Sequence, residues 1–70
     1  MKNNWPMPNY ELAKRLGWSQ SYLSQVFHGY RRPSEAMSEK AKPFTRKPFA
    51  WWGDAAQAEI QALITKLRRG

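Results

Sequence analysis

Seventy residues with 12 Lys and Arg against 5 Asp and Glu, a net charge of +7 and a pI near 10.3, bound one small domain with a polyanionic partner. Nucleic acid comes first as that partner and an anionic membrane second. The lack of cysteine excludes a disulfide framework and a thiolate metal site, and a lone His28 beside a lone Asp54 offers no nucleophile–base pair, so neither enzyme, metal nor cofactor is expected. No apolar run approaches membrane-spanning length and no signal-peptide core follows Met1-Lys2-Asn3-Asn4; a soluble cytoplasmic protein is the expectation. Four Trp, three Tyr and three Phe supply the burial that so short a chain otherwise lacks.

Pro6 and Pro8 keep residues 1–8 from forming a regular helix. Trp5 and Met7 either lie across the apolar face that follows or belong to a frayed arm. Asn9 can cap a first helix, with Glu11 in its first turn, Leu12, Ala13 and Leu16 on its apolar face, and Lys14 and Arg15 outward. Gly17 suits the positive φ of a sharp turn, and Ser19 is a good N-cap for a second helix from about Gln20 to Phe27. Leu23, Val26 and Phe27 form its inner face. Gln20, Ser21, Ser24 and Gln25, all short and uncharged, form the opposite one. His28 ends the helix and Gly29 takes the position after it; a cation near a helix C-terminus, or a phosphate contact, suits this histidine better than a metal ligand.

At these residues the chain resembles the helix-turn-helix of phage Cro and repressor-type regulators. Ala13, Gly17, Leu23 and Val26 stand in its register, and the run Ser19 to Ser34 is similar to the recognition helix, Gly, basic pair and Pro-Ser segment of small prophage regulators. The resemblance spans Asn9 to about Ala41, with the motif itself at 9–28. It implies an all-α, lambda-repressor-like domain of about four helices over residues 1–70, here lacking the usual first helix. Trp18 stands where that family carries a smaller aliphatic residue and reads as a core plug rather than a base contact. The resemblance also implies double-stranded DNA as partner, with Gln20, Ser21, Ser24 and Gln25 reading bases. Asn9, Lys14, Ser19, Tyr22, His28, Tyr30, Arg31, Arg32, Arg46 and Lys47 are then the candidates for phosphate contact. A glutamine amide pairs with adenine and no Arg or Lys lies on the reading face, so a site weighted towards A·T pairs is expected.

Beyond the motif, Ser34 caps a helix carrying Met37, Ala41 and Phe44, which Pro43 should end near Ala41. Lys42-Pro43-Phe44 and Lys47-Pro48-Phe49 repeat a tripeptide and predict an irregular, cation-rich connection anchored by its phenylalanines. Trp51 and Trp52 close a core in preference to stacking on single-stranded bases. Gly53 breaks the chain, and Asp54 with Gln57 starts an amphipathic C-terminal helix of about 54–69. Its apolar face, Ile60, Leu63, Ile64 and Leu67, can complete the core, pair with a second copy, or do both; a membrane role is weakest because the helix is basic only at its end.

These expectations combine into a Cro-like phage or prophage repressor, dimeric, blocking a promoter by occupancy on a two-fold operator, without a small-molecule ligand. Two alternatives stay open: an antitoxin-type autoregulator, and a small interaction protein that inhibits a host factor.

Overall fold

The computed structural model describes residues 7–69, so the expectation for Trp5 lies outside the described residues. It is all-helical, in the order α1 (Asn9–Leu16), α2 (Gln20–His28), α3 (Glu35–Thr45), α4 (Phe49–Asp54) and α5 (Gln57–Arg68). Helices of this length are marginal alone, and packing of their apolar faces holds them. α1 packs on α2 and α3, α2 on α5, and α3 on α4. The core gathers one stripe from each: Leu12, Ala13 and Leu16; Leu23 and Val26; Ala41; Trp52; Ile60 and Ile64. Each fully buried large aliphatic side chain contributes about 1.5–3 kcal/mol. Met7 packs at the edge of this core, and its backbone N–H donates to Arg68 O at 2.7 Å.

Trp18 is the plug its position predicts. It is buried, meets Tyr22 and Trp52 edge-to-face at 5.2 and 5.9 Å, and donates its Nε1–H to Met37 O at 2.9 Å. A large ring with one polar edge can fill such a site only where that edge finds an acceptor.

Several sequence expectations are corrected. The all-helical expectation holds, and the described residues form five helices where about four were expected, because Phe49–Asp54 forms α4. Pro48 immediately before it has its φ already set for a helix start, and Gly53 lies inside α4 with nothing near the place of its missing Cβ. α3 continues through Pro43 to Thr45: the proline forfeits a backbone bond and crowds the preceding turn, a cost offset by the burial that Phe44 and Thr45 gain by staying helical. Asn9 is not the cap of α1; Pro8 holds that position without a side-chain bond. α5 starts at Gln57, and Glu59 Oε1 accepts from Ala56 N–H at 3.3 Å in place of the expected Asp54–Gln57 pair. Ile60 and Ile64, expected as candidates for a contact between copies, are fully buried in their own chain; Leu63 and Leu67 are half-buried on its flank. No helix among the described residues is long and apolar enough to cross a membrane.

Candidate nucleic-acid interface

The turn between α1 and α2 is set by Gly17 at φ 78°, a backbone conformation costly for any side-chain-bearing residue. Its N–H returns to Lys14 O and the following N–H of Trp18 to Ala13 O, closing α1. Ser19 then caps α2, its Oγ accepting from Tyr22 N–H at 3.0 Å. At the far end Gly29 adopts φ 87°, and a Cβ there would stand 3.2 Å from Gln57 Cδ, so the exit of α2 is also closely packed.

That exit is completed from α5. Gln57 Nε2 donates to Val26 O at 3.0 Å and to Phe27 O at 2.8 Å, and Gln61 Nε2 donates to Phe27 O at 2.9 Å. The last carbonyls of a helix lack intrahelical partners; here the N–H groups of Gly29 and Tyr30 return to Val26 O and Gln25 O, and the two side-chain amides add donors to Val26 O and Phe27 O. α2 is therefore fixed along its inner face by Leu23 and Val26 and at its end by α5.

The opposite face is open. Gln20 and Ser21 are exposed and make no side-chain hydrogen bond to any described residue. Ser24 and Gln25 are half-buried, because each belongs to a flank of the helix. On one flank Arg31 Nε donates to Gln25 Oε1 at 2.6 Å, while its guanidinium lies 5.3 Å from the centre of the Tyr22 ring. The Tyr22 hydroxyl in turn accepts from Ser34 N–H at 3.2 Å. No Arg or Lys lies on the face itself, but Arg31 reaches its flank from the loop. On the other flank a cleft of about 210 Å³ is lined by Asn9, Leu23, Ser24, Phe27, His28 and Arg68.

The remaining candidate residues divide. Lys14, His28, Tyr30 and Arg46 are exposed, Tyr30 at 84%. Ser19 serves the helix cap, and its hydroxyl proton remains free to donate outward. Lys47 is half-buried with its ammonium 4.9 Å from the Trp51 ring. Arg32 is exposed, and its Nη1 donates to Trp52 O and, at 2.9 Å, to Ala55 O, so it also closes the C-terminal end of α4. Asn9 Oδ1 accepts from Arg68 Nη2.

Three placements escaped sequence reasoning, though the signals were present. Arg68 follows Ile60 and Ile64 at eight and four residues, continuing the buried stripe rather than only decorating the helix end. Gln57 and Gln61 share that four-residue spacing. Arg31 and Arg32 occupy a stretch without helix, where successive side chains point to opposite sides, one towards α2 and one towards α4.

Two short helices about a glycine turn, the second held from behind with an uncharged hydrogen-bonding face outward and cations beside it, define a protein that lays a helix against duplex nucleic acid. The chain belongs to the helix-turn-helix family, whose model matches residues 2–41, more than half its length. No curated protein and no solved structure matches it. Membership makes it a sequence-specific double-stranded DNA-binding regulator of transcription; α4 and α5 lie outside the matched span.

Proposed function

We propose that residues 1–70 act as one DNA-binding domain of a Cro-like phage or prophage repressor, dimeric on its operator and blocking a promoter by occupancy. The observation that carries this reading is the outward face of α2: the side chains of Gln20 and Ser21 are exposed and make no hydrogen bond to a described residue, while Leu23 and Val26 are buried behind them and Gln57 holds the helix end. A rigid rod with unengaged amides and hydroxyls suits the major groove, where base edges present donors and acceptors.

Gln20 and Ser21, nearest the start of α2, face base edges first; Ser24 and Gln25 follow on its flanks. Lys14, Ser19, Tyr22, His28, Tyr30, Arg31, Arg46 and Lys47 supply the backbone contacts. One short helix covers few base pairs, so useful selectivity requires two copies with half-sites about 34 Å apart. Leu63 and Leu67, half-buried on α5, are the side chains left to join them.

Selection of bound duplexes from a random pool tests the reading. A two-fold consensus with half-sites one helical turn apart is the expected result, and sequence-independent recovery of duplexes rejects it. Sedimentation of the Leu67→Glu protein checks the pairing: wild type should be a dimer at micromolar concentration and the variant a folded monomer. A wild-type monomer that occupies a lone half-site with full selectivity excludes the two-fold arrangement.

A further inference from the structure

We infer that the cleft between α1, α2 and α5 is a seat for a phosphate-type anion, with Arg68 as its principal ligand. Leu23 and Phe27 form its apolar lining, and Asn9, Ser24, His28 and Arg68 its polar one. All four polar side chains carry N–H or O–H donors, and no carboxylate lines the cleft. Arg68 is only partly exposed, its Nε is buried without an acceptor, and no carboxylate among the described residues pairs with it. A guanidinium with its Nε–H shut away from water and no acceptor for it is left less than fully satisfied, and an anion beside it relieves that.

The geometry prepares that arrival. Arg68 donates through Nη2 to Asn9 Oδ1, which turns the Asn9 amide nitrogen away from the bond and frees it as a donor. The backbone tie from Met7 N–H to Arg68 O fixes the end of α5 against the start of α1. A planar guanidinium supported in this way suits the paired oxygens of a phosphate.

The cleft opens beside Ser24 and His28, on the flank of α2 opposite Arg31. A DNA backbone phosphate and a free phosphate share the chemistry that the cleft recognises. The first source rests on the DNA-binding reading above and would have the last helix grip one strand beside the reading helix; the second does not need that reading.

The test pairs Arg68→Gln with Arg69→Gln, an adjacent exposed control that removes the same charge. On the selected duplex, Arg68→Gln should lose about 10-fold in affinity and lower the log–log salt slope by about 0.9, as expected for one phosphate, while Arg69→Gln changes neither. A duplex made neutral at single phosphates by methylphosphonate completes a cycle. One position should weaken wild type and leave Arg68→Gln unaffected, a readout that a merely misfolded variant cannot give. Titration of wild type with inorganic phosphate, followed by the His28 and Asn9 nuclear resonances, covers the free anion.

Coupling of Arg68 to one backbone position assigns the cleft to DNA. Saturable millimolar phosphate binding confined to the cleft, without that coupling, assigns it to a free phosphate. Absence of both overturns the inference, even where the duplex still binds tightly and selectively. Loss of all selective DNA binding by wild type, with phosphate still bound, rejects the regulator reading and leaves the anion seat standing.

Discussion

Arg31 Nε donates to Gln25 Oε1 at 2.6 Å, with the guanidinium resting against the Tyr22 ring. An amide reads adenine by accepting from N6 and donating to N7, and this contact engages the accepting half. On the DNA-binding reading proposed above, Gln25 is left to present its amide donors to a base pair. Guanine, with acceptors at both N7 and O6, becomes the better match, against the A·T weighting that the uncharged helix face alone predicts. We predict that Arg31→Ala releases Gln25 and shifts one position of the selected consensus from guanine towards adenine, a change of about 1–3 kcal/mol in discrimination. Consensus sites from the two proteins decide this; identical preferences would remove the pair from readout.

Arg32 behaves otherwise. Its bonds to Trp52 O and Ala55 O satisfy carbonyls at the end of α4 with a charged donor. Arg32→Ala should lower stability by about 1.5–3 kcal/mol, the range for hydrogen bonds to charged groups. Thermal unfolding should show a loss of about 4–8 °C per kcal/mol in a chain of this size. At temperatures where the variant stays folded its salt slope on DNA should equal that of wild type; a slope lowered by about one would instead make Arg32 a phosphate ligand.

The motif itself was legible because its signals are local. Ser19, Gly17 and Gly29 act within one turn of where they stand, and the spacing of Leu12, Leu16, Leu23 and Val26 determines which faces turn inward. What lay hidden depends on partners far along the chain. Nothing around Arg32 announces α4, and nothing around Asn9 announces Arg68, fifty-nine residues away. Pro43 misled for a related reason, since its cost to the helix is local and the burial of Thr45 that offsets it is not.

Gln57 and Gln61 define a third expectation. Replacing both with alanine leaves Phe27 O without these donors, while Val26 O keeps the Gly29 N–H, at about 1–3 kcal/mol for the one unsatisfied group. Hydrogen exchange should accelerate first in the last turn of α2, ahead of α1 and α3. Uniform acceleration across all helices would mean that the two amides stabilise the fold as a whole rather than this end of it.

Arg46 is the only non-glycine residue with positive φ among the described residues, at 62°, where it ends α3 by donating its N–H to Lys42 O at 2.7 Å. A side chain in this conformation costs about 1–2 kcal/mol. Arg46→Gly should therefore raise the unfolding temperature while weakening binding to all duplexes alike and lowering the salt slope by about 0.9. A variant that gains stability and keeps full affinity would take Arg46 off the backbone-contact surface.

Gln20 and Ser21 are exposed and make no side-chain hydrogen bond to a described residue, whereas Gln25 shares its side-chain carbonyl with a loop residue. A single substitution at either of the first two positions therefore disturbs no hydrogen bond to a described residue and can be tried directly against a new operator. The twenty-fifth position cannot move so freely. A replacement there also removes the acceptor of Arg31, so a change of operator is open to single substitutions at one end of the helix and to coupled ones towards the other.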